Sequence, residues 1–171
     1  MSYALLSDSF FKQQAEHLDK DDPCRDPRYR RRRVLAEIEE SKSDIMCLQE
    51  VTNYSEKDNY FFKKLDSLGY KIVIPNQKAE EKESQKLRYF DLVVAYCKDK
   101  WSLVEKVDIE LYKAKYHYQR AVEDFKKTNK AMICLFQHKE SGKRLAVGNM
   151  QLYHGANHDY VRQAQALYFM E

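Results

Sequence analysis

The order in which apolar patterns follow one another constrains this chain more than any single motif does. Helix–strand units come first, strand pairs joined by short turns follow, and a helix closes the sequence. Tyr3–Leu6 reads as the tail of a strand, and residues 7–28 as a polar loop with a helical turn around Asp8–His17. Val34, Leu35 and Ile38 then share one face of a helix within Arg28–Glu40. Asp44–Val51 predicts a short buried strand after the turn Ser41-Lys42-Ser43. In Tyr54–Leu68, Phe61, Leu65 and Leu68 share a helical face, and Gly69 suits the position just past its end. Tyr70–Pro75 predicts a strand, and the charged stretch Asn76–Lys86 an exposed loop. Tyr89–Cys97 and Ser102–Tyr112 predict strands joined at Lys98-Asp99-Lys100, and Lys113–Lys127 a helix or loop. Ala131–His138 and Arg144–Leu152 flank Lys139–Lys143, a hairpin turn. Asn157 is expected to cap a last helix that packs through Val161, Ala164, Leu167 and Tyr168. The pattern implies α/β layers around a mixed, largely antiparallel sheet with flanking helices, not a doubly wound parallel fold.

At 171 residues, with no repeat or linker, the chain reads as one domain, 1–171. Thirty Lys and Arg face 27 Asp and Glu, a net charge of +3. That balance excludes a polycation and does not by itself demand nucleic acid. The longest apolar run, Leu92–Cys97, is far shorter than the ~18 residues of a membrane span, so no membrane partner is expected. The opening MSYALLSDSFF lacks the charged and apolar regions of a signal peptide. Cys24, Cys47, Cys97 and Cys134 show no metal spacing and read as buried thiols of a reducing compartment. An intracellular, cytoplasmic setting is expected.

Four features could carry chemistry. Glu50 stands at the C-terminal end of the strand Ile45–Leu48, where a carboxylate can hold Mg2+. By spacing alone the ordinary strand-end glutamate is the preferred reading, because one carboxylate is no site. Asn149 and Gln151 lie two apart on a strand and share a face. That pair suits a phosphate or base, and it also suits the solvated face of an edge strand. His154 and His158 have metal-binding spacing, but Gly155 between them breaks the helix, so surface histidines are the reading preferred. The arginine run 28–33 could meet phosphates. A charged helix face beside the acidic stretch Asp19–Asp26 is the blander reading, and is preferred. Its charge order, arginines first and glutamates last, opposes the helix dipole. Trp101 and the tyrosine-rich strands read as core.

The block Asp44-Ile45-Met46-Cys47-Leu48-Gln49-Glu50-Val51 closely resembles D-I-x-C-L-Q-E-V of the endonuclease/exonuclease/phosphatase superfamily. Ser2–Ser9 resembles its opening S-Y-N-x-L-A-D block. Asp91–Lys98 with Lys100–Leu103 resembles D-G-C-A-x-F-Y-K followed by K-F-x-L. Thr128–Ala131 fits D/T-N-x-A, and Ala146–Tyr153 resembles V-A-N-T-H-L-Y. The flavour is that of the catabolite-repressor deadenylase, nocturnin, angel and 2′,5′-phosphodiesterase branch.

The resemblance implies a deoxyribonuclease-like two-sheet α/β sandwich, here partial, with its C-terminal part and its second sheet missing. It implies a Mg2+- or Mn2+-dependent phosphodiesterase, of the RNA 3′-exonuclease, deadenylase-like kind. Glu50 is then the metal ligand, Asn149 and Gln151 occupy catalytic positions, and Asp91 and Asn129 bind substrate. RNA or an adenine-containing nucleotide is the expected ligand, with a protein partner over an open sheet face. Ala4 stands where the family has Asn, Gln151 where it has His, and Leu92 where it has Gly. The later G-D-x-N and S-D-H blocks are absent from the 171 residues. These departures imply little or no turnover by the 171 residues alone, and they leave open a degenerate, non-catalytic binding module.

Overall fold

A computed structural model describes residues 1–5, 11, 15–51, 60–76, 92–116, 129–153, 155 and 157–171. Among them the order is β1 (Ser2–Ala4), α1 (Pro27–Ser41), β2 (Ile45–Gln49), α2 (Tyr60–Ser67), β3 (Tyr70–Val73), β4 (Val93–Cys97), β5 (Trp101–Glu110), β6 (Lys130–His138), β7 (Arg144–Met150) and α3 (Asp159–Met170). Short 3-10 turns lie at Ala15–His17, Pro23–Arg25 and Leu111–Tyr116. The strands form two sheets, β1-β2-β4-β3 and β5-β6-β7. Only β1 and β2 run parallel among these pairings.

The period of two in β4 explains the layering. Val93 and Ala95 face α1 and α2, packing with Met46, Leu48, Leu35, Ile38, Phe61 and Leu65. Val94 and Tyr96 face the other way and pack with Met132, Cys134 and Phe136 of β6. The Tyr96 and Phe136 rings meet at 5.0 Å between centroids. The second sheet is therefore present, which corrects the expectation of its absence. After the turn at 98–100, β5 leaves the first sheet and pairs with β6 along its length, so both ladders offer an apolar face to one core.

α3 packs outside the second sheet, through Val161 and Ala164 with Ala114, Tyr153 and Tyr168. A Cβ on Gly148 of β7 would stand 2.5 Å from the Phe169 ring, so the close approach requires glycine. Gly148→Ala is expected to cost about 1–3 kcal/mol, because the ring has to shift. Urea unfolding checks this, and an unchanged midpoint would show that Phe169 repacks freely.

Asp26 caps α1, its Oδ1 accepting from Arg28 N at 2.8 Å, with Pro27 as the first helical residue. Gly69 ends α2 with φ 88°, as expected. Asn157 does not cap α3: His158 holds that position without a side-chain cap bond. Asn157 instead makes the preceding turn at φ 59°, which its short polar side chain tolerates.

All four cysteines are free, but only Cys134 is fully buried. Burial pushes its thiol up to about 11. Cys24 is exposed, against expectation, because its 3-10 turn lies outside the layers. No helix among the described residues is long and apolar enough to cross a membrane.

Candidate active site

The two sheets are tied together at the C-terminal ends of β2 and β7. Ile45, Cys47 and Gln49 occupy the face of β2 turned towards the second sheet, and Asn149 occupies the facing position on β7. Asn149 is 1% exposed. Its amide donates to Leu48 O at 3.1 Å and Val93 O at 2.9 Å, and its Oδ1 accepts from Gln49 Nε2 at 2.7 Å. Asn149 thus spends its hydrogens on the main chain of β2 and on Val93 at the start of β4. The arrangement gives this residue a structural task, beside which its catalytic role stands as an expectation of the resemblance.

Glu50 follows β2 directly and sits at φ 59°. That left-handed conformation costs a non-glycine residue about 1–2 kcal/mol. Here it turns the chain out of the sheet, and it is found at the residue that the sequence singled out for chemistry. One carboxylate oxygen, Oε1, accepts from Gln151 Nε2 at 2.9 Å across the two sheets. Gln151 Oε1 is buried and accepts no hydrogen bond from the described residues.

Asn129, 2% exposed, fixes the main chain beneath this pair: its Nδ2 donates to Gln151 O at 3.0 Å. Its own carbonyl accepts from Leu111 N at 3.1 Å. α3 holds the next residues. Buried Gln165 accepts from Tyr153 N at 2.8 Å, and Arg162 Nη1 donates to Gly155 O at 2.7 Å.

The structure therefore brings Glu50, Asn129, Asn149 and Gln151 to one edge. Asp91 and His154 lie outside the described residues. His158 stacks edge-on against Tyr153 at 5.1 Å, a packing role. Sequence reasoning missed Gln49, Arg162 and Gln165. Gln49 carried a signal, a polar side chain on the inward phase of an apolar strand. Gln165 carried one too, as a polar residue one position past Ala164 on a helical face that turns out to be buried.

An oxygen-rich edge of this kind suits a hard cation. Mg2+ takes one or two carboxylates, keeps several waters and shares phosphate oxygens. Glu50 supplies a carboxylate, and the Gln151 amide that lies against it carries a buried oxygen with no hydrogen-bond partner among the described residues. Among the described residues no three His, Cys, Asp or Glu gather into an all-protein cage.

No family model matches the chain. A probable CCR4-Not complex 3′-5′-exoribonuclease subunit Ccr4 of Enterocytozoon bieneusi is 26% identical over 141 residues, covering 75% of this chain and 28% of the relative. ANGEL2, a 2′,3′-cyclic phosphatase solved with adenosine-2′,3′-vanadate, superposes with a TM-score of 0.75 at 20% identity, over 96% of this chain and 44% of its own. The human nocturnin catalytic domain superposes at 0.71 with 19% identity, over 98% and 54%.

The chain has the fold of endonuclease/exonuclease/phosphatase proteins and is similar in sequence to Ccr4 exoribonuclease subunits.

Its likeness is to Ccr4, nocturnin and ANGEL2, over part of their length. It spans about a quarter of the curated relative and about half of each solved neighbour. The partial sandwich with flanking helices, expected from the motif blocks, is the fold these neighbours share.

Proposed function

We propose that this chain forms the cation- and phosphate-binding side of a Mg2+- or Mn2+-dependent phosphodiesterase that shortens RNA from its 3′ end. The observation that carries the reading is the Glu50–Gln151 pair, a carboxylate held on a strained turn by an amide from the opposite sheet. The similarity to an exoribonuclease supports RNA as substrate, and the adenosine ligand of ANGEL2 supports an adenylate end. Membership of the Ccr4 relative in a complex supports a protein partner. Four free thiols and an RNA substrate fit a cytoplasmic setting.

Glu50 would hold the cation, with Gln151 Oε1 beside it. The bound cation would polarise the scissile phosphate and steady the leaving oxygen. Gln151 Nε2 orients the carboxylate, Asn129 fixes the Gln151 main chain, and Asn149 keeps the two strand ends in register. Gln151 donates a hydrogen bond but does not carry a proton near neutral pH. Proton transfer therefore needs groups beyond these, and the 171 residues hold neither a G-D-x-N nor an S-D-H block.

The expected outcome for the 171-residue chain alone is cation binding with oligo(A) hydrolysis at or near background. Titration with Mn2+ should broaden the Gln151 side-chain amide signal in wild type and not in Glu50→Gln. Broadening that is equal in both, or absent, would overturn the reading. Hydrolysis well above background, lost in Glu50→Gln, would show that the absent blocks are dispensable. Ala4 and Gln151 favour a second reading, a non-catalytic RNA-binding relative. That reading predicts oligo(A) binding with no cation at Glu50.

A further inference from the structure

We propose that the arginine-rich half of α1 is a docking ridge for the phosphate backbone of single-stranded RNA, an inference that rests on the RNA reading above. Arg28, Arg32 and Arg33 are all exposed on α1, with Tyr29 39% exposed among them. Arg28 and Arg32 are four apart and so stand one helical turn from each other.

Neighbouring acids form no ion pair with these arginines among the described residues. Asp22 Oδ1 accepts from Cys24 N at 2.7 Å, and Asp26 Oδ1 accepts from Arg28 N at 2.8 Å, so both cap turns. Among the described residues, Arg28, Arg32 and Arg33 form no salt bridge. The run is thus a charged, exposed helix face, as the sequence reading has it, and among the described residues it is not ion-paired to Asp19–Asp26.

Folding does not account for this charge. Cations in the first turns of a helix oppose its dipole, at about 0.3–1 kcal/mol each for groups near the end. Glu37, Glu39 and Glu40 lie in the half where cations would stabilise. The reversed order would make a better helix. The whole chain carries only +3, so the ridge is a local concentration and no by-product of general basicity.

The ridge also has a direction. Arg30 Nη2 donates to Leu5 O at 3.2 Å, and Leu5 N donates to Gln49 O at 3.0 Å. Tyr3 OH donates to Glu37 Oε2 at 2.5 Å, further along the same helix. α1 therefore runs antiparallel to β1, with its arginine end beside the strand ends from which Glu50 departs. Phosphates on the ridge would lead towards that edge, and Tyr29 offers a ring on which a base can stack.

Anisotropy of a labelled oligo(A) in EDTA, across a KCl series, tests the ridge without cleavage. Losing three phosphate contacts to a single strand should flatten the log–log salt slope by about 2. Arg28→Gln/Arg32→Gln/Arg33→Gln should therefore show that flattening and at least about tenfold weaker binding at 0.1 M salt. The matching triple lysine variant keeps the charge and should keep the slope, and circular dichroism verifies both folds. A triple glutamine variant that keeps wild-type slope and affinity would overturn the proposal. So would loss of binding by the lysine variant, or a wild-type chain that ignores oligo(A) and prefers acidic peptide. Arginine-dependent binding with no Mn2+ effect at Gln151 would leave the ridge standing and sink the catalytic reading alone.

Discussion

Replacing Asn149 by alanine should lower the unfolding free energy by about 3–5 kcal/mol, the largest stability effect expected of a single polar residue here. The substitution removes two donors from the Leu48 and Val93 carbonyls and the acceptor of Gln49 Nε2, in a site 1% exposed. Each buried group left short of a partner costs about 1–3 kcal/mol, and the space left by the amide adds to that. Gln49 keeps only longer contacts, at 3.4 Å to Ser2 Oγ and to Cys47 O. Asn149→Asp refines the test. Its carboxylate would face two carbonyl oxygens, so burial and repulsion raise its folded-state pKa above the unfolded one. The protonated acid can donate to one carbonyl. This variant should therefore be most stable at low pH and lose stability as pH rises through the folded pKa. Urea titrations at two pH values read both effects. A wild-type midpoint for Asn149→Ala would mean that the sheets do not depend on this contact.

Glu50→Gly should separate stability from chemistry. The substitution relieves a left-handed φ worth about 1–2 kcal/mol to a non-glycine residue. Against that stand about 0.5–1 kcal/mol of added unfolded-chain entropy and the loss of a hydrogen bond of about 1 kcal/mol. The terms nearly cancel, so the unfolding midpoint should stay within about 1 kcal/mol of wild type. Mn2+ affinity should fall at least about a hundredfold, because this carboxylate is the main anionic ligand at this edge among the described residues. A large loss of stability would show that Glu50 is kept for the fold. Unchanged Mn2+ affinity would move the cation elsewhere.

Much of the fold was legible because its periodicities are clean. Val93 to Cys97 could be placed as a strand from pattern, and the structure gives its two faces to two different cores. Gly69 ended its helix where the sequence put it. The second sheet was less legible. Sequence reading gave strands for β5, β6 and β7, but which sheet they join depends on contacts between residues some 40 apart, such as Tyr96 with Phe136. The candidate site was legible as a set of residues and not as a geometry. Glu50 and Gln151 are 101 positions apart, and nothing local says that their side chains meet. Asn149 was read for chemistry, whereas its amide hydrogens go to backbone carbonyls. Asn157 misled because the same side chain suits a cap and a left-handed turn. The arginine run was read as a charged helix face beside the acidic stretch, and the structure leaves Arg28, Arg32 and Arg33 exposed, but sequence alone could not say that no ion pair forms there among the described residues.

Glu50 departs from one sheet and Gln151 from the other, so the 2.9 Å contact between them works as a gauge of the gap that separates the two layers. The gap is set by side chains far from any reactive group, chiefly where Tyr96 meets Phe136. Interiors packed to crystal density transmit such spacing instead of absorbing it. Trimming or swelling that aromatic layer by a methylene or two would retune the carboxylate from a distance, and relatives that share every polar residue at this edge could still differ in the ion they hold.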